Sequence, residues 1–195
     1  MLLPILIALF LPGYSSISQH ISEVALLDHP VAIVQRAAAM AAGTSILLFG
    51  VGLILLSGGN FRFTAVAATV FAASMISNGV VVMGSPLHGL YGLGLFMVLV
   101  PAFFASEIPH GWSDWARSRN MAMAVALFNL TYMWLLVSGL EPQEFRGLTQ
   151  RVATVVIFGW YTLAGYSVLQ NLALHSTEVL RPPSSSLDAS RRSAD

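Results

Sequence analysis

The chain has no cysteine and no lysine. The first absence removes disulfides, thiolate metal sites, thioether-linked haem and cysteine nucleophiles. The second removes lysine Schiff bases, and retinal-type pigments with them, as well as lysine nucleophiles. Charge of either sign is also scarce. Only 9% of the 195 residues are charged, where a soluble globular domain carries about 25%, so the chain cannot coat a water-facing fold. Its formal net charge is zero, which leaves no electrostatic case for nucleic acid or another polyanion as partner.

What is present is apolar and comes in blocks: 56% of residues are hydrophobic and the mean hydropathy is +0.74. A membrane-spanning helix needs roughly 20 mostly apolar residues, because a rise of about 1.5 Å per residue must cross about 30 Å of hydrocarbon. Six stretches qualify: Leu2–Ser18, Val31–Ser57, Phe63–Met83, Leu87–Ser106, Met121–Leu140 and Val152–Leu174. They predict an all-α integral membrane bundle of about six transmembrane helices over residues 1–176. Residues 177–195, polar and rich in proline and serine, predict a disordered tail. The first stretch lacks a basic start, and Pro12-Gly13-Tyr14 is a poor cleavage site, so it reads as helix one rather than a signal peptide.

Arginine distribution sets the expected orientation. With the N-terminus cytoplasmic, the inner side holds Arg62, Arg117, Arg119, Arg181, Arg191 and Arg192, and the outer side holds Arg36, Arg146 and Arg151. The expectation is a multi-pass protein of the inner (cytoplasmic) membrane with both termini cytoplasmic. Trp112 and Trp115, with Asp114, Arg117 and Arg119, read as an anchor at the cytoplasmic interface.

Polar groups in or beside a bilayer are costly and tend to face a partner or a wet cavity. The connection Ser18–Pro30 is therefore informative. Ile17, Ile21, Val24 and Ala25 recur at helical spacing, which predicts a short interfacial helix after helix one. His20 and Glu23 lie three apart and so are neighbours on its surface. Two readings stand: an interfacial helix whose Glu23 pairs with Arg36, or the wall of a polar pocket at the outer face. His88 opens helix four on that same face, followed by Tyr91, while Gly89, Gly92 and Gly94 would let another helix approach. Asn78 in helix three and Asn129 in helix five predict interhelical hydrogen bonds. Glu141, Glu144 and Arg146 predict a solvated outer loop with local ion pairs, or a mouth for the same pocket.

His20, Glu23, Arg36, Asn78, His88 and Tyr91 are thus the candidate ligand-binding residues. No cofactor is expected; the alternative is zinc on His20 and His88, with Glu23 as general base. No HExxH or other compact metal motif supports that alternative.

The segment Tyr14-Ser-Ser-Ile-Ser-Gln-His-Ile-Ser-Glu-Val-Ala resembles the domain of unknown function 998 family, prokaryotic membrane proteins of about six helices. In that family helix one is followed by a polar stretch similar to Ser-Glu-Leu-Gly. Ser22 and Glu23 match it, while Val24 and Ala25 depart from it, and His88 after Ser85-Pro86 also looks similar. The resemblance implies a membrane bundle with a polar cluster at one face and implies no activity. Three functions remain open. One is binding or transport of a lipid or small amphiphile, with Arg36 holding an anionic group. The second is a membrane-embedded metal-dependent hydrolase. The third is a structural subunit that associates through Ala37, Ala38, Ala41 and Ala42. The expected partners are membrane lipids and a small amphiphile.

Overall fold

The computed structural model describes residues 2–90 and 92–179; Tyr91 and residues 180–195, most of the expected tail, lie outside them. Among the described residues every regular element is helical: α1 (Leu2–Ala8), α2 (Val31–Leu56), α3 (Arg62–Val80), α4 (Phe96–Glu107), α5 (Trp115–Ser138) and α6 (Arg146–Val179). Short 3-10 helices cover Ile21–Leu26 and Leu93–Leu95. Four of the helices, α2, α3, α5 and α6, are long and apolar enough to cross a membrane.

Helices α2 and α3 form an antiparallel hairpin. Gly58 and Gly59, at φ +60 and +92, make the turn between them. Buried positions on α2 recur every three or four residues, from Val31, Gln35, Ala39 and Gly43 to Ile46, Gly50 and Leu53, the period of one helix face. Glycine at position 43 lets the two backbones meet: a Cβ there would lie 2.7 Å from Ile76 Cγ1, 2.8 Å from Ile76 N and 2.9 Å from Ala72 O. Small residues at such contacts are how membrane helices gain packing without help from the hydrophobic effect.

Both ends of α3 carry a countercharge. At its N-terminus the Glu107 carboxylate accepts from Phe63 N (2.8 Å), Thr64 N (2.9 Å) and Thr64 Oγ1 (2.6 Å). At its C-terminus Arg36 donates from Nε to Gly79 O and from Nη2 to Val80 O, each at 2.9 Å. An anion at the first turn and a cation at the last complement the helix dipole and satisfy groups the helix leaves unpaired. This corrects one expectation about Arg36: it does not pair with Glu23, which meets Arg146 instead, and the α3 carbonyls engage its Nε hydrogen and one Nη2 hydrogen.

Two expected helices are shorter than their apolar stretches. α1 has seven residues, about 10 Å of rise against about 30 Å of hydrocarbon. Its end packs through Ala8 and Tyr14 against Val24 and Val31. The fourth stretch does not begin as a helix at Leu87. Gly84, Gly89 and Gly92, together with Leu90, have positive φ, and such backbone cannot continue a right-handed helix. His88 therefore lies in a turn, held to α3 by Ser77 Oγ on Leu87 O and Ser74 Oγ on Gly89 O. Further along α4, Pro101 lacks the N–H that Met97 O would accept, and Asn129 of α5 donates to that carbonyl at 2.8 Å. The interhelical role expected of Asn129 is thus filled.

Around Phe104 of α4, Phe61, Trp112 and Trp160 pack as an aromatic cluster. Outward-facing Leu48, Leu55, Phe63, Val137 and Leu169 are exposed, the surface expected where lipid is the solvent.

The glycine contact is testable by alanine. Gly43→Ala should lower stability by about 1–3 kcal/mol, the cost of overpacking. Gly52→Ala on the same helix, where nothing lies within 4 Å, should leave it unchanged or raise it by up to about 1 kcal/mol. Unfolding of the two variants in one detergent reads the difference.

Candidate functional site

The polar features gather at one end of the bundle, which holds the starts of α2 and α6 and the ends of α3 and α5. Residues 14–30 lie across this end as a strap, and α6 holds it down. Leu148 N donates to Ile17 O at 2.9 Å, Arg146 Nε to Ser18 O at 2.7 Å and Arg151 Nη1 to Gln19 O at 3.1 Å. Ile21 N in turn donates to Gln150 Oε1. Gly147 permits this approach, since a Cβ there would sit 2.8 Å from Ile17 O. Arg151 is only 6% exposed and also donates from Nη2 to Tyr14 OH at 2.8 Å. Tyr14 OH passes the chain on, to His20 O at 2.9 Å. Buried polar groups are stabilising only when so connected.

Beneath the strap lies a cavity of about 260 Å³. Ser22, His88 and Gln150 stand at its rim, and Gln35, Ser74, Asn78, Tyr132 and Thr154 contribute polar atoms to its wall. Phe71, Ala39, Ile157 and Phe158 are among its apolar lining. Among the described residues no Asp, Glu or Arg lines it. Most of the polar atoms already have partners: Thr154 Oγ1 donates to Gln150 O at 2.8 Å and Ser74 Oγ to Gly89 O at 2.7 Å. His88 Nδ1 lies 2.7 Å from Val81 O. A carbonyl can only accept, so Nδ1 carries the proton, and in the neutral ring Nε2 is an acceptor. Gln35 is different. It is 5% exposed, and its Oε1 has no hydrogen-bond partner among the described residues.

Of the residues singled out in the sequence, the cavity brings together Asn78 and His88. The others lie elsewhere, except that Tyr91 is outside the described residues. His20 Nε2 faces Glu141 Oε2 at 3.2 Å, and Glu141 also accepts from Thr149 Oγ1. Glu23 pairs with Arg146 at 3.0 Å and accepts from His20 N at 3.0 Å. The loop around Glu141 and Arg146 is therefore joined to the strap by the Glu23–Arg146 ion pair and the His20–Glu141 contact, both of which span the fold. Among the described residues no three of His, Asp and Glu gather where they could hold a metal ion. His20 and His88, the zinc ligands considered from sequence, have separate partners, Glu141 and Val81 O.

The sequence reading missed Gln35, Gln150, Thr154 and Arg151. A signal for Gln35 existed: it is a polar side chain one turn into an apolar spanning helix. It stood beside Arg36, the more conspicuous residue.

At the opposite end Asp114 ties α5 to α6. It accepts from Ser118 Oγ and Ser167 Oγ at 2.7 Å and from Asn171 Nδ2 at 2.9 Å. Partial burial pushes its carboxyl upward, but these hydrogen bonds outweigh burial and hold it below the usual carboxylate range.

Four helices of spanning length, apolar outward faces and a polar cluster at one end define a multi-pass helical membrane protein. The family model described as Protein of unknown function (DUF998) matches residues 1–167, and the chain belongs to that family. No curated protein and no solved structure matches it.

If Arg151 fastens the strap, Arg151→Leu should remove its hydrogen bonds to Gln19 O and Tyr14 OH and cost about 1–3 kcal/mol. Hydrogen exchange of the amides from Ser15 to Leu26 should accelerate while that of α2 and α3 does not. Unchanged exchange in the strap would contradict the role given to Arg151.

Proposed function

We propose that this protein binds a small, uncharged amphiphile in the cavity beneath the strap. The observation that carries the reading is Gln35 Oε1, a buried acceptor without a partner among the described residues. A buried polar group left unpaired costs about 1–3 kcal/mol, which a ligand hydroxyl or amide N–H would recover. The lining supports a polarity gradient. α2 and α6 start at the strap end, so Gln35 lies about 6 Å shallower than Ala39, and Gln150 lies above Thr154 and Ile157. α3 finishes there, which sets Asn78 above Ser74 and Phe71. A head with hydrogen-bonding groups fits near the rim and an apolar portion fits below.

The absence of Asp, Glu and Arg from the lining favours a neutral head, since a buried charge without a countercharge is strongly disfavoured. This departs from the sequence-based idea of an anionic ligand on Arg36. The volume lies below the roughly 300–1,000 Å³ typical of drug-sized sites, which favours a single-chain molecule such as a long-chain alcohol or monoacylglycerol over a whole phospholipid. Arg62, Arg117 and Arg119 lie at the far end, which favours that end, and the C-terminal end of α6, as the cytoplasmic side of an inner membrane.

The test is thermal unfolding of the purified protein with alkanols, monoacylglycerols and alkyl carboxylates of matched chain length. The neutral amphiphiles should raise the midpoint and the carboxylates should not. Gln35→Leu should weaken their binding by one hydrogen bond, about 0.5–1.5 kcal/mol, or roughly 2- to 12-fold. An equal response to carboxylates, or an undiminished response in Gln35→Leu, would reject this reading.

A further inference from the structure

The far end has a second concavity, independent of the cavity under the strap. It is a cleft of about 390 Å³ beside the end of α4 and the start of α5, with Ala102, Ala105 and Met123 as an apolar floor and Ser106, His110 and Arg119 as polar groups. Trp115 forms the remaining wall. The His110 ring stacks on its indole with centroids 4.6 Å apart, and the Arg119 guanidinium lies 5.6 Å from the same indole centroid. The cation is thus positioned by an aromatic face and not by an acid.

Among the described residues no carboxylate serves Arg119 as a counter-ion. Arg119 forms no ion pair among the described residues, where the two ion pairs present both lie at the strap end. Two carboxylates at this end are engaged elsewhere: Glu107 caps α3, and Asp114 faces Ser118, Ser167 and Asn171. Asp114 is the N-cap residue of α5 and the only anion near that terminus among the described residues, while Arg117 and Arg119 both sit close to it. A helix N-terminus carries a partial positive charge, so placing cations there is unfavourable unless an anion joins them. Among the described residues Arg119 has no acid partner, so the cleft can take an anion from outside the bundle. Trp112 and Trp115 are residue types that favour the headgroup level of a bilayer, and the floor of the cleft is apolar. An anion at that depth with an apolar remainder is a lipid.

We propose that this cleft binds an anionic glycerophospholipid, its phosphate beside Arg119 and His110 and the start of an acyl chain along Ala102, Ala105 and Met123. The arginine supplies a permanent charge and two-pronged geometry toward phosphate oxygens. Ser106 Oγ, which donates to Phe103 O at 2.8 Å, retains acceptor capacity for a headgroup hydroxyl.

The test is native mass spectrometry of the full chain titrated with phosphatidylglycerol or phosphatidylcholine of identical acyl chains. Wild type and Arg62→Gln, a control at the same end outside the cleft, should retain phosphatidylglycerol preferentially. Arg119→Gln should lose about fivefold of that preference, the worth of one arginine at an anionic surface. Arg119→Lys should restore part of it, and since Arg119 is exposed all variants should unfold at the wild-type temperature. Equal retention of both lipids by wild type, or an undiminished preference in Arg119→Gln, overturns the proposal. Displacement of the lipid by millimolar inorganic phosphate would also overturn it, by assigning the cleft to a free anion.

Discussion

The strap end depends on how closely α2 and α3 approach. Backbone-to-backbone contact at Gly43 fixes the register of the pair. Arg36 then reaches across to the last carbonyls of α3. Its sequence neighbour Gln35 is consequently held at the cavity wall alongside Ser74 and Asn78. In hydrocarbon, where apolar side chains gain little from associating, steric fit of this kind carries the packing. A cation that satisfies two helix-terminal carbonyls adds direction to it. The remaining walls are brought in by α6, whose first turns carry Gln150 and Thr154 and which fastens the strap over the opening.

Much of the architecture was legible in the sequence, because apolar length and the scarcity of charge are local properties. α2, α3, α5 and α6 fall where the hydropathy places them. The shortening of α4 was less accessible. Its glycines read equally well as a helix contact or as turns, and the positive φ at Leu90, a residue that seldom adopts it, depends on the grip of Ser74 and Ser77 on the neighbouring carbonyls. The ion pairs were not legible. Glu23 meets Arg146 and His20 meets Glu141 across more than a hundred residues, whereas spacing along a helix suggests only near neighbours. Family membership followed from the short polar stretch at Ser22 and Glu23. That stretch proves to be part of the strap, with Ser22 at the cavity rim and Glu23 on the ion pair beside it.

The two ends treat charge differently. At the strap end Arg36 and Arg151 are engaged by backbone oxygens and Tyr14, and Arg146 by Glu23 and Ser18 O. This leaves the cavity uncharged, with hydrogen-bonding groups alone to select a ligand. At the far end Glu107 and Asp114 are the engaged groups, and Arg119 lies over an aromatic ring with no acid partner among the described residues. One end is organised for a neutral guest within the bundle, the other for the anionic surface of the bilayer.

The central claim is that the cavity opens at the strap end and is occupied by an amphiphile. Because the chain lacks cysteine, a single Thr154→Cys substitution gives one thiol, placed in the cavity wall. Sealed vesicles of each orientation, treated with a membrane-impermeant maleimide, report its access directly. The account predicts labelling only where the strap end faces the reagent, and protection by a monoacylglycerol. Labelling only from the far end, or no labelling from the strap end, would contradict it, and so would labelling that the amphiphile does not slow.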